Sequence, residues 1–148
     1  MTGVLLLITA IAGVIPNDAI KAEEAKFHGD WEVVEMDRGG RKFPRDYLEK
    51  SSFVIKEGVI ITTDGDGDEQ KARFKVDPSK KPKTIELSVL DAFGRERPNA
   101  APVLGIYEFD GDTLKLAWRK GGGARPEDFE PVQDDRQLVR TTLKKKGK

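Results

Sequence analysis

Short runs in which apolar and polar residues alternate, separated by turn residues, fill the chain from Phe27 onward. An alternation with a period of two predicts strands that bury one face, and closely spaced turns predict hairpins. The clearest hairpin is "VLGIYEFDGDTLKLAW", with its turn at Asp110 and Gly111. The spacing predicts an all-β fold, as a barrel or a sandwich. We favour a single antiparallel up-and-down barrel of about eight strands, because closure removes exposed sheet edges.

Turn signals divide the strands and leave room for only short helical turns. Gly39-Gly40 and Glu57-Gly58 predict tight turns between strands. The stretches "PRDYLEK" (44–50) and "RPEDFE" (125–130) each predict one turn of helix, and "QLVRTTL" predicts the closing strand.

An uncharged apolar run of 12 residues, from Val4 to Ile15, precedes the alternating region. It is too short to span a bilayer but matches the core of a secretory signal peptide, although no Lys or Arg precedes it. We expect a signal peptide at 1–22, cleaved after Ala22, and a barrel domain at 23–143. The alternative is a buried N-terminal strand or helix. Cleavage predicts a protein exported to the periplasm, the cell envelope or the medium, without a membrane span.

Composition removes several classes of chemistry. The chain has no cysteine, which excludes disulfides, thiolate zinc sites, iron–sulfur clusters and cysteine nucleophiles. Its 26 basic residues balance its 26 acidic residues, and four lysines cluster in a terminal tail at 144–148. Such a tail is typical of a solvated chain end, whereas nucleic-acid binding needs basic residues spread over a face. We therefore expect no nucleic-acid partner, and no cofactor is indicated.

The acidic stretch "TTDGDGDEQ" resembles the start of a calcium-binding loop. Asp64, Asp66 and Asp68 have the spacing of the first three ligands of an EF-hand. Glu69 stands where that loop requires Gly, and Lys75 stands where it requires Glu. We therefore interpret the stretch as the acidic tip of a hairpin, and we predict no metal site.

Catalytic residues are equally hard to find. His28 is the only histidine, so it cannot assemble a histidine-rich metal site or a serine triad alone. Its place just before the first strand predicts an exposed loop residue. Paired carboxylates of a hydrolase stay open as an alternative, but Asp and Glu are too abundant to carry a signal. The expectation is a protein that is not an enzyme.

Three large aromatic residues and one arginine are the candidate ligand contacts. Trp31, Tyr107 and Trp118 lie on predicted strands, where they belong to the core or line a cavity. Arg125 either caps the barrel by stacking on an indole ring, which we favour, or binds an anion.

Two stretches together resemble a known group of domains. "GDWEVV" is similar to the Gly-x-Trp opening of lipocalins, and "GIYEFDGDTLKLAW" followed by "RPEDF" adds a more specific pattern. From about Phe27 to Arg140 the chain resembles an uncharacterised lipocalin-like domain family abundant in planctomycete bacteria. The resemblance implies a small β-barrel and supplies no catalytic residue. Relatives commonly have cysteine where this chain has Ala117. The matching positions are Gly29, Trp31, Gly105, Ile106, Tyr107, Gly111, Asp112, Leu114, Arg125, Pro126 and Phe129.

These observations predict a monomeric, lipocalin-like binding module of unknown ligand, with a small hydrophobic molecule as the expected partner. The alternative is a cell-envelope or protein–protein interaction domain whose barrel is filled by side chains, and a carboxylate-type hydrolase ranks third. An interior cavity of about 300 Å³ or more would favour the first hypothesis over the second.

Overall fold

The computed structural model describes residues 16–147, so the apolar core of the predicted signal peptide lies outside the described residues. The elements are the helices α1 Asn17–Ala25 and α2 Arg45–Glu49 and the strands β1 Gly29–Arg38, β2 Arg41–Lys42, β3 Ser52–Lys56, β4 Val59–Thr63, β5 Glu69–Asp77, β6 Lys83–Val89, β7 Val103–Asp110, β8 Thr113–Arg119 and β9 Leu138–Lys145.

The strands form one closed antiparallel barrel. β1 pairs with β3, each following strand pairs with the next as far as β9, and β9 returns to pair with β1. Eight strands therefore make the barrel, and the two-residue β2 extends the end of β1. This architecture confirms the predicted up-and-down barrel, and residues 16–147 contain two short helices beside it.

The predicted turns form where backbone freedom is needed. Gly39 and Gly40 have φ values of +60° and +81°, as a type I′ hairpin turn requires. Gly58 has a φ of +76° in the turn between β3 and β4. In the hairpin of β7 and β8 the turn residues are Gly111 and Asp112, one position later than predicted.

Apolar side chains pack together in the interior of the barrel. Cross-strand partners share a face, so the pairing of Phe74 with Leu87 and of Val76 with Ile85 places all four side chains inside, as their alternation predicts. Burying this apolar surface is the main stabilising contribution to the fold. The buried core cluster consists of Phe27, Trp31, Val33, Leu48, Phe53, Ile55, Ile60, Phe74, Val76, Ile85, Tyr107, Leu114, Leu116 and Leu143.

A helix packs at each end of the barrel. α1 packs against β5, and Phe27, which follows it, is completely buried. We call this the α1 end. At the opposite end, the α2 end, Leu48 joins the core and the ring of Tyr47 lies against Gly65 in the β4–β5 hairpin. A Cβ at Gly65 would be 2.2 Å from that ring, so the glycine makes room for the tyrosine.

Two expectations about the chain need correction, whereas the cleavage point stays a prediction. Residues 125–130 form no helical turn; Asp128 Oδ1 instead accepts a hydrogen bond from the amide of Glu130 in a bend. β9 continues to Lys145, so the first two residues of the predicted basic tail belong to the barrel. The predicted cleavage point after Ala22 falls inside α1, a helix that the strand pattern did not predict.

Neither helix in the described part of the chain combines the length and apolar character needed to cross a membrane.

Candidate functional site

Trp31 and Tyr107 meet in an aromatic cluster at the α1 end. The ring of Phe27 lies 4.9 Å from that of Tyr107 and 4.8 Å from that of Phe109, between ring centroids. Phe109 in turn lies 6.4 Å from the ring of Trp31. The indole Nε1 of Trp31 donates a 2.7 Å hydrogen bond to the carbonyl of Phe27. Trp31 and Tyr107 are 2% and 1% exposed, so both rings pack inside the core.

A buried carboxylate fixes α1 to this cluster. Glu23 Oε1 accepts hydrogen bonds from the Tyr107 hydroxyl at 2.8 Å and from Lys83 Nζ at 3.1 Å, and Oε2 accepts one from Lys26 Nζ at 2.9 Å. Burial alone would raise the pKa of Glu23, but these three donors outweigh it, so the pKa lies below its ordinary value. Burial, together with the bond to Glu23, raises the pKa of Tyr107. The carboxylate therefore stays ionised and holds the helix in place.

Trp118 lies away from this cluster, near the α2 end. It pairs with Gly105 on β7 and with Val139 on β9, and its side chain is half-buried against the core. A Cβ at Gly105 would be 2.7 Å from the carbonyl oxygen of Ala117 and 3.2 Å from the Cβ of Trp118. Glycine is therefore required at this position by close packing.

Arg125 lies outside the barrel, against β6 and β7. Its Nη1 donates to the carbonyl oxygens of Ile85 at 3.0 Å and Gly105 at 2.5 Å. The guanidinium is thus held by main-chain carbonyls, in place of the predicted stack on an indole ring. The cation that lies over an indole ring is Lys145, whose Nζ is 5.6 Å from the ring centroid of Trp31.

The segment between β8 and β9, residues 120–137, lies on the outer surface of the barrel; we call it the outer segment. Ile106 and Ala117 pair with each other and face outward, yet they are 1% and 0% exposed. Arg125 of this segment donates to carbonyls of the barrel, and three guanidinium groups donate to carbonyls of the segment: Arg38 to Arg136, Arg119 to Ala124 and Arg140 to Phe129. Arg140 also pairs with Asp37. Charged hydrogen bonds therefore hold the segment in place.

A groove opens beside the outer segment. Its walls are the outer face of β5 and β6, the connection between those strands, and residues 125–127 of the outer segment. We call it the outer groove. Its volume is about 690 Å³, within the range of small-molecule sites, and it opens to solvent. The lining residues are Lys75, Val76, Asp77, Lys80, Lys81, Pro82, Thr84, Glu86, Ile106, Arg125, Pro126 and Glu127.

Two of the three groove carboxylates are already engaged. Asp77 Oδ1 accepts from both the amide and the hydroxyl of Ser79, and these bonds hold the pKa of Asp77 below its ordinary value. Glu86 lies opposite Lys75 in the strand register, and its Oε1 is 3.7 Å from Arg125 Nη2. Glu127 is exposed at the rim.

The acidic stretch is a hairpin tip, as predicted. Asp64 Oδ1 accepts hydrogen bonds from the amides of Asp66 and Asp68, which folds the loop between β4 and β5. Burial, followed by the charge of Asp64, raises the pKa of Tyr47 beside it. Within residues 16–147 no three His, Asp or Glu side chains converge as metal ligands. His28 is exposed, which confirms its predicted state.

The outer groove is the feature that sequence reasoning missed. Lys80 and Lys81 lie in "DPSKKPK", which the pattern predicts to be a polar loop, and Lys75 lies in the predicted strand "ARFKVD". The opposite wall comes from residues far along the chain. The usable signals were Arg125 and Pro126, two residues that also carry the family resemblance. Pro126 is buried beside the groove, and Arg125 anchors its wall.

Comparisons of the chain with models of protein families, with curated proteins and with solved structures found no match.

Proposed function

We propose that this protein is an exported, non-catalytic binding module with a lipocalin-like barrel. In this proposal the barrel is a scaffold filled by side chains, and the ligand binds in the outer groove. The hypothesis of a small hydrophobic ligand inside the barrel is the weaker one, because Trp31 and Tyr107 are packed in the core rather than lining a space. Membership of the lipocalin-like family stays a prediction from the sequence motifs.

The observation that carries the proposal is the outer groove itself. It combines several charged side chains with a volume of about 690 Å³, which lies within the range of small-molecule sites. Its wall is fixed, because Arg125 is bonded to two carbonyls of the barrel. A rigid wall lowers the entropic cost of binding.

The ionisation of the carboxyl groups supports a role without catalysis. A carboxyl that acts as general acid near neutral pH needs a raised pKa. In the described residues, four carboxyl groups have a pKa that departs from the ordinary value, and in each case the pKa is lowered. These are Glu23, Asp77, Asp91 and Asp135. These groups serve as hydrogen-bond acceptors that stabilise turns and α1. The carboxylate-type hydrolase is therefore not our proposal.

Export is supported by the apolar run of the sequence. Cleavage after Ala22 leaves Glu23 as the first residue, so the mature chain keeps the carboxylate that binds Tyr107 and Lys83. N-terminal sequencing of the protein from its own source tests this. A first residue beyond Phe27 would contradict it, because the core would then lack that ring.

The groove is tested by blocking it. Thr84 faces outward within the groove, whereas Thr142 faces outward on β9, opposite Glu35 and Lys115. We expect native mass spectrometry of protein purified from its source to detect a bound small molecule in the wild type and in the matched control Thr142→Trp, but not in Thr84→Trp. A wild type without a bound molecule, or a Thr84→Trp variant that retains it, would contradict the proposal.

An interaction with a partner protein is the second candidate, and an exposed aromatic ring favours it. Phe93 is 82% exposed at the tip of the β6–β7 loop, with the guanidinium of Arg95 5.1 Å from its ring centroid. Asp91 Oδ1 accepts from the amides of both residues and fixes the tip. Exposed aromatic and arginine residues are typical of interface anchors.

This second function is tested with a photo-crosslinking residue introduced in the producing cells. At position 93 it should trap a protein adduct that the same residue at exposed position 28 does not. Equal crosslinking at both positions would argue against it.

A further inference from the structure

The free charges of the outer groove define a class of ligand. Lys75, Lys80 and Lys81 line the groove. Within residues 16–147, none of their Nζ atoms lies within 4.0 Å of a carboxylate oxygen. The lining carries four cationic side chains and three carboxylates, Asp77, Glu86 and Glu127, and the charge of Asp77 acts on Lys80 and Arg125. Counted with Arg125, the groove therefore has a formal excess of one positive charge.

Arg125 adds a fixed positive charge to the groove. Its Nη1 is occupied by two carbonyls, and its Nη2 is 3.7 Å from Glu86, beyond hydrogen-bond distance. Nη2 and Nε still carry N–H groups, which can donate to an anion without moving the side chain. A guanidinium held in this way loses little entropy when it binds phosphate or carboxylate.

Among the apolar residues that line the groove, Pro82 is partly exposed, whereas Val76, Ile106 and Pro126 are buried. A small organic anion can cover Pro82 with its carbon skeleton, which a fully hydrated inorganic ion cannot do. The groove volume of about 690 Å³ suits an organic molecule rather than a single ion.

We infer that the outer groove binds a small organic anion with at least two phosphate or carboxylate groups. This inference rests on the proposed binding function of the same groove. The anionic groups meet Lys75, Lys80, Lys81 and Arg125, and the carbon skeleton lies against Pro82. Binding depends on ionic strength, because the lysines are exposed and salt screens their charges.

Isothermal titration calorimetry of the whole protein tests the ligand class with citrate, glycerol bisphosphate and the uncharged sugar trehalose as probes. We expect saturable binding of at least one anion, weakened by added sodium chloride, and no binding of trehalose. Stronger binding of citrate identifies carboxylates as the preferred groups, and stronger binding of the bisphosphate identifies phosphates. Failure of both anions to bind would overturn the inference.

A pair of charge reversals locates the binding. Lys80→Glu with Lys81→Glu changes the charge of the groove. Lys42→Glu with Lys144→Glu changes the net charge equally, at exposed positions on β2 and β9. We expect the first pair to weaken anion binding at least about tenfold, which is about 1.4 kcal/mol, and the second to have little effect. Equal weakening by both pairs would overturn the inference, because it would mean that only net charge matters.

The test of the ligand class and the test of the proposed function can fail independently of each other. A co-purifying molecule that is lost from Thr84→Trp but carries no anionic group would contradict the ligand class while leaving the groove as the binding site. Absence of any bound molecule, with anion binding that depends on Lys80 and Lys81, would contradict the proposed function as its own test defines it, while supporting the anionic ligand class. Thermal unfolding of each variant shows whether it has kept its fold.

Discussion

Trp31 has a single structural role, as the largest side chain of the core at the α1 end. It is 2% exposed, and its indole N–H is bonded to the carbonyl of Phe27. Trp31→Ala should lower the free energy of unfolding by about 3–5 kcal/mol, the range for removing a buried aromatic ring. Urea denaturation measures the loss, with half-buried Trp118→Ala as a comparison expected to lose less. A loss under about 1 kcal/mol at Trp31 would contradict its place in the core.

Glu23 makes stability depend on pH in the acid range. Its pKa in the folded protein lies below the ordinary value of 4.5, so its ionised form favours folding. That contribution is complete above the ordinary pKa and is lost as the pH falls through the folded pKa. Glu23→Gln should therefore lower the Tm at pH 7, and the difference from the wild type should shrink below about pH 4.5. A difference that stays constant with pH would show that the charge of Glu23 contributes nothing.

Arg125 supports the outer segment as well as the groove. Arg125→Ala leaves the carbonyls of Ile85 and Gly105 without their charged donor, and its side chain is 27% exposed, so water replaces only part of the loss. We expect the free energy of unfolding to fall by about 1.5–3 kcal/mol. Thermal melts compare Arg125→Ala with the control Arg45→Ala, which removes a side chain that is 91% exposed. Equal melting temperatures for the two variants would contradict the anchoring role.

At the scale of elements, strands were predictable and the outer segment was not. The alternation of "ARFKVD" with "TIELSVL" fixes which residues face inward, because a shift by one residue would expose the apolar set. The outer segment "KGGGARPEDFEPVQDD" has no period, and its position depends on arginines that lie elsewhere in the chain. A pattern read along the chain does not contain such distant hydrogen bonds.

α1 was missed for a related reason. The helix is short and mostly exposed, with Glu23 as its buried residue, so it has no apolar stripe. Its position depends on the Tyr107 hydroxyl and on Lys83, which are far away in sequence. The sequence predicted Tyr107 as a large residue on a strand but could not predict its partner.

For the whole molecule, barrel closure followed from the number of short strands, whereas the candidate site did not. Trp31 and Tyr107 proved to lie together at the α1 end, with Trp118 near the other end and Arg125 outside. The outer groove forms only when the β5–β6 connection and the outer segment come together on the folded barrel. Two of its binding residues, Lys80 and Lys81, are lysines in a polar loop, so their local sequence carries no distinct signal.

The most direct test of the account is a crystal structure of the protein purified with its bound small molecule. We predict density for that molecule on the outer surface of the barrel, between Arg125 and Lys81 and above Ile106. Density within the barrel, beside Trp118 and Leu116, would contradict the central claim that the filled barrel is a scaffold and the groove is the binding site.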